Sequence, residues 1–191
     1  RMLVILLMGF SSGLPLLLGF STLSYWLSKE GVSLTAISGL LAASVPYSVK
    51  FLWAPLIDQA RLPVFTALFG KRRGWMLAIQ MLLAASIAAL GFGDPSEGIA
   101  YIAAMALVVA FLSASQDIVI DAYRIDILDD YEQGAGAAMT QTGYRLGLLI
   151  AGAGAIALAD FISWSLIYGL MASLVGIGMV AAVIAPEPAA S

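Results

Sequence analysis

The sequence predicts an all-α membrane protein of six transmembrane helices, and three observations carry that expectation. Of 191 residues, 61% are hydrophobic and only 11% charged, with a mean hydropathy of +0.97, whereas soluble domains carry about 25% charged residues. Six runs stay apolar over the ~20 residues that a spanning helix needs: 2–27, 34–57, 74–93, 98–126, 134–159 and 162–185. The joints between them are short and rich in turn residues.

Taken in order, the first run reads GFSSGLPLLLGF from Gly9. Gly13 and Pro15 weaken its hydrogen-bond ladder, and Pro15 frees the carbonyl of Ser11. Irregular helix is tolerated at membrane depth only where protein or water satisfies it. Ser11 and Ser12 are therefore candidates for a site wall, with a packing kink as the equal alternative. This run is too long for a signal-peptide core and lacks a cleavage site, so it is expected to be retained. Ser28-Lys29-Glu30-Gly31 leads to the second run, which holds Pro46-Tyr47 and Lys50. Lys50 either snorkels to headgroups or serves a polar interior.

The basic stretch 58–73 precedes the third run, and Gly93-Asp94-Pro95-Ser96-Glu97-Gly98 precedes the fourth. The fourth run exceeds what a bilayer requires, so it is expected to tilt or protrude. Asp129-Asp130-Tyr131-Glu132-Gln133-Gly134 opens the fifth, Ala159-Asp160 leads to the sixth, and Pro186-Glu187-Pro188 closes it. Residues 1–185 are thus expected to form one bundle, with 186–191 as a linker or tail. Runs two and five each carry an aromatic residue followed by a cation (Tyr47…Lys50 and Tyr144-Arg145). That is a faint sign of a 3+3 inverted repeat of the kind common in transporters.

Orientation follows from the cations. Arg61, Lys71, Arg72 and Arg73 lie in the 58–73 stretch, and Arg1 shares their side by helix parity; the opposite side has only Lys29. The bias places both termini in the cytoplasm. Trp26, Tyr101 and Trp164 are then expected near the outer interface, and Trp53 and Trp75 near the inner one.

The chemistry is concentrated in FLSASQDIVIDAYRIDIL, residues 111–128. At helical spacing Asp117, Asp121 and Arg124 fall on one narrow face, which Ser113, Ala114 and Ala110 extend. Phe111, Leu112, Ile118, Val119 and Ala122 form the far side and suit lipid or apolar packing. An ionised side chain at mid-bilayer costs several kcal/mol and normally faces a polar interior. Either Asp121 and Arg124 close into a static pair that fixes packing, or one carboxylate takes and releases a proton. Arg145, with Gln141 one turn before it, is expected to point into a cavity. Nearly opposite, Gly143, Gly147, Ala151 and Ala155 form a small-residue ridge for close helix contact. Gln116, Tyr144 and Ser12 complete the candidate charge partners or substrate contacts. The sequence has no Cys and no His, which removes thiolate chemistry, the usual general base and the commonest metal ligand. No metal and no cofactor other than a proton gradient is expected, and an enzyme is disfavoured because no serine or metal constellation appears. A net charge of −3 gives no sign of a nucleic-acid partner.

Asp58 at the end of the second run, followed by the Gly70-Lys71-Arg72-Arg73-Gly74 stretch, resembles the loop motif of the major facilitator superfamily. GFSSGLPLLL, KFLWAPLID, KRRGW, SASQDIVIDAYR and GAGAA…GYRLG together resemble the AmpG-like muropeptide permeases, and related acetyl-CoA transporters share parts of the signature. The resemblance implies proton-driven import of anhydro-muropeptides across the bacterial inner membrane. On this reading Asp117 and Asp121 are the expected coupling residues, and Arg124, Arg145, Gln141 and Lys50 their partners or substrate contacts. Asp58, Gly70, Arg72 and Arg73 would form a cytoplasmic gate. It also implies a partner in the membrane besides lipid: major facilitators have twelve helices in two halves, so this chain is expected to be an N-terminal half completed by a second half or another copy. An acetyl-CoA, siderophore or drug permease and a non-transporting scaffold are the rival expectations.

Overall fold

The computed structural model describes residues 1–188, apart from the side chains of Leu41 and Ala43, and the described residues form helices and turns with no strand among them. Residues 189–191 of the expected tail lie outside the described residues. Helices α1 (Met2–Gly19) and α2 (Ser21–Lys29) together make one apolar span of 28 residues. Gly13 and Pro15 both sit inside α1, and the break expected near them falls instead at Phe20, with φ −127° and ψ −92°.

The second expected span is not one helix. It divides into α3 (Leu34–Gly39), a 3₁₀ turn (Leu40–Ser44), α4 (Val45–Val49), a second 3₁₀ turn (Lys50–Leu52) and α5 (Ala54–Gln59). Pro46 and Pro55 account for the division, since each lacks the N–H that an unbroken ladder needs and crowds the carbonyl four residues back. The basic stretch contains a further short helix, α6 (Pro63–Phe69), started by a proline at its first position and stopped by Gly70 at φ 90°.

Three long helices follow: α7 (Lys71–Gly91), α8 (Ala100–Ile127) and, at the end, α11 (Trp164–Ile184). With Met2–Lys29 they are the four helices among the described residues that are long and apolar enough to cross a membrane. The fifth expected span is α9 (Gln133–Leu149), a π-turn (Ile150–Gly154) and α10 (Ala155–Leu158) in succession. Caps match the turn residues. Ser33 accepts from Ala36 N, Ser163 accepts from Leu166 N, and Asp129 with Glu132 forms a capping box.

Helix α1 is the central element, packed against α8, α9 and α11, while α7 packs on α8 and α11. The expected small-residue ridge is what allows the α1–α9 approach. A Cβ on Gly13 would meet the carbonyl oxygen of Tyr144, and one on Gly143 would meet that of Leu6. Residues four apart in an α-helix drift around the axis by about 40° per step at 3.6 residues per turn. The π-turn takes an extra residue and cancels that drift, so Ala151 and Ala155 also stay in the core at 0% exposure. Thr22 Oγ1 donates to the carbonyl of Ala151 at 2.6 Å, covering an acceptor inside that turn.

The apolar core is in two parts. One, around Leu14, Leu18, Leu83, Ile87, Val109 and Val175, lies toward the end where Trp26 stacks on Trp164 at 5.8 Å. The other, around Met8, Met76, Ile79, Val119, Tyr123 and Ala181, lies toward the basic stretch. Leu112 and Val119 are buried in these cores and not on a lipid-facing side, because α8 is covered by α1, α7 and the pieces of the second span. Trp53 donates to Ser115 Oγ at 2.9 Å on α8. Between the two apolar parts α1, α7, α8 and α11 bury small or polar residues: Ser11 and Ser12, Gln80, residues 113–116 and Gly178 respectively.

Candidate functional site: a polar cavity beside α1 and a charged clasp

The polar layer opens to one side as a cavity of about 360 Å³. Its walls come from α1 (Ser12), the second 3₁₀ turn (Lys50), α8 (Asp117, Ile120, Asp121) and α9 (Thr140, Gln141, Tyr144). Asp117 accepts a hydrogen bond from the Ser12 hydroxyl. Lys50 shares this cavity with both carboxylates, yet forms no ion pair within 4.0 Å among the described residues. Tyr47 stands nearby, its ring 6.1 Å from that of Phe20.

Lys50 sits where the backbone of the second span is irregular, between α4 and α5. That irregularity has a physical reason here. Backbone without a regular ladder is tolerated at membrane depth where it lines a wet cavity, and it brings a cation opposite two acids.

Six of the expected site residues thus meet in one place: Asp117, Asp121, Lys50, Gln141, Tyr144 and Ser12. Three do not. Gln116 is fully buried in the α1–α8 seam, where Ser11 Oγ donates to its Oε1 at 2.9 Å and its Nε2 donates to the Ser11 carbonyl at 3.2 Å. That carbonyl is the one Pro15 leaves without a helical donor, so Gln116 is a packing contact and not a cavity wall. Arg124 lies one turn past the cavity and pairs with Asp121, its Nη1 3.8 Å from Oδ1, as the spacing on α8 allows. Arg145 is exposed on α9 and does not line the cavity; the helix shares its buried side with α1 through glycines, which turns the guanidinium outward.

At the basic end a second group of charges is closed. Arg72 bridges two helices, with Nη2 2.7 Å from Asp58 Oδ1 and Nε 2.7 Å from Asp126 Oδ2. Arg73 donates to the carbonyls of Ala182 and Val183 at 2.8 and 2.6 Å. The backbone N–H groups of Arg72 and Arg73 donate to the Glu187 carboxylate at 3.1 and 3.4 Å, where α7 begins. A Cβ on Gly70 would collide with that carboxylate, 2.7 Å from its Oε1. Asp58, Gly70, Arg72 and Arg73 are therefore one structural unit, which ties α5, α7, α8 and the chain leaving α11 together.

The sequence reading assigned no site role to Asp126, Glu187, Tyr47 or Thr140, although it noted Tyr47 beside Lys50. Asp126 carries a signal that was available, an acid two residues beyond Arg124 on the helix that already held two others. The remaining three are identified only by contacts across helices. A larger recess of about 740 Å³ lies between α4, α7 and α8, with walls of Pro46, Leu82, Leu107, Val108 and Phe111. It holds no charged group and suits hydrocarbon, not a polar solute.

Residues 1–163 match the family model described as Acetyl-coenzyme A transporter 1. The chain is 46% identical over 189 residues to the anhydromuropeptide permease of Escherichia coli (strain K12), covering 98% of this chain and 38% of that protein. It is 33% identical over 182 residues to putative transporter AmpG 4 of Rickettsia felis, covering 94% of this chain and 44% of that protein. The chain therefore spans about two fifths of the length of these curated relatives.

Proposed function

The chain belongs to the family described as Acetyl-coenzyme A transporter 1, and from that premise, with its AmpG-named relatives, we propose that it forms the first six-span bundle of a proton-coupled permease. Its cargo would be anhydromuropeptide-type solutes, moved from periplasm to cytoplasm across the bacterial inner membrane. The interrupted segments 34–59 and 133–158 supply the two spans beyond the four long helices. The bundle would then correspond to a major facilitator N-terminal half, and a second bundle or copy would close the open side of the cavity. The clasp of Asp58, Arg72 and Asp126 would then lie on the cytoplasmic side, with the basic stretch, and act as a gate.

The observation that carries this reading is the meeting of Asp117, Asp121 and Lys50 around one cavity without mutual ion pairing. A static packing network would close its charges on one another, as the clasp does. An open set is what a solute and a proton can engage. In the intact permease reconstituted in vesicles, Asp117→Asn is expected to abolish proton-driven accumulation of anhydromuropeptide while membrane insertion is unchanged. Undiminished accumulation would remove Asp117 from coupling.

The family description favours a second cargo, acetyl-coenzyme A. Competition between anhydromuropeptide and acetyl-coenzyme A for the purified protein separates the two. A non-transporting scaffold predicts instead that Asp117, Asp121 and Arg145 tolerate joint replacement by apolar residues.

A further inference from the structure

We propose that Lys50 carries the coupling between proton and solute: ionised Asp117 holds the Lys50 ammonium, and protonation of Asp117 releases it to bind a carboxylate of the incoming solute. The inference rests on the proton-coupled permease reading and adds the residue through which the two ligands are linked.

Three observations support it. Lys50 and Asp117 line one cavity of about 360 Å³, from different elements, and stand more than 4.0 Å apart in the ion-pair sense. The two are therefore not in closed contact. Lys50 is carried by a 3₁₀ turn between two five- and six-residue helices, so the ammonium can move without unpacking a long helix. Asp117 is already bound by the Ser12 hydroxyl from α1, so the acid is the fixed member of the pair and the lysine the mobile one.

The titratable and charged groups turned toward Asp117 from the elements packed around it are Lys50, Tyr47, Asp121 and Tyr144. Among them Lys50 is the cation that lines the cavity, and Arg124 stands 3.8 Å from Asp121 just past it. With Asp117 ionised, the two cations balance the two carboxylates. With a proton added to an Asp117 oxygen, one net positive charge remains, and Lys50 is the cation left without a carboxylate. That cavity suits a solute carboxylate at Lys50. Proton and solute then favour each other's binding, which is the linkage that symport requires.

The test measures binding of an anhydromuropeptide, with its peptide carboxylates free or amidated, to the intact purified permease over the pH range in which carboxyl groups titrate. The native protein is expected to bind the free acid about tenfold more tightly as pH falls, and the amidated form weakly throughout. Asp117→Asn should bind the free acid tightly at high pH with no further gain on acidification. Lys50→Gln should lose the preference for the free acid, and Lys50→Arg should keep it. A native-like pH dependence in Asp117→Asn, or a preserved preference in Lys50→Gln, overturns the linkage while the cargo assignment stands. No binding of either form by the native protein, with acetyl-coenzyme A bound, overturns the cargo assignment and the linkage together.

Discussion

Ser11 and Gln116 satisfy each other twice: the serine hydroxyl donates to the amide oxygen at 2.9 Å, and the amide nitrogen donates to the serine carbonyl at 3.2 Å. The second bond covers the acceptor that Pro15 exposes, deep in the seam between α1 and α8. Replacing Gln116 by Leu leaves that carbonyl buried and unpaired, at a cost of about 1–3 kcal/mol. Denaturant unfolding in detergent should show the loss. Equal stability of Gln116→Leu and the native protein would contradict the role given to the amide.

The close approach of α1 and α9 makes a second prediction. Gly143→Ala places a methyl against the Leu6 carbonyl, and the overpacking should destabilise by about 1–3 kcal/mol. Gly134, on the same helix, has open space where its Cβ would be. Gly134→Ala is therefore expected to be neutral or stabilising by up to about 1 kcal/mol. Melting temperatures of the two variants in one detergent provide the comparison.

Thr22 tests the π-turn. Thr22→Val keeps the shape but removes the donor to Ala151 O, with an expected loss of about 1–2 kcal/mol. Thr22→Ser should retain most of the stability. Should serine and valine behave alike, the hydroxyl is not what holds that turn.

The clasp can be probed by thiol labelling in a permease from which any cysteines elsewhere have been removed, since these 191 residues contain none. A single cysteine at Thr140, on the cavity wall, reports access from either side through an impermeant thiol reagent. Arg72→Ala frees Asp58 and Asp126 at once and is expected to raise labelling from the basic side by about fivefold or more. Arg72→Lys should give an intermediate rate, since a point charge cannot span both carboxylates as the fork does. Unaltered labelling in Arg72→Ala would leave the clasp as packing alone.

Much of this molecule was legible in its residue pattern. Hydropathy located the four long helices, and the four-residue spacing of Gly143, Gly147, Ala151 and Ala155 marked the face that meets α1. Helical periodicity put Asp117 and Asp121 on a common side, and the cavity uses both. What escaped lies in properties that periodicity does not encode. Pro46 and Pro55 broke the second span into pieces, because each removes a ladder bond. Pro15 did not break the first, because Gln116 from another helix replaced the missing donor. Arg145 lies on the opposite side of α9 from the glycine ridge, as the spacing indicates. Opposite the ridge, however, lies open surface and not the cavity, whose walls come from the residues between. Asp126 and Glu187 belong to the clasp only because α8 and the end of α11 converge on Arg72 and Arg73, 54 and 114 residues away in the chain.

The carboxylate of Glu187, flanked by Pro186 and Pro188, occupies the space that a side chain at position 70 would fill. It also sits on the two amides that begin α7. The segment just past α11 is thus fastened to the start of α7 three residues beyond Ile184, so the two helices share one anchor at the basic end.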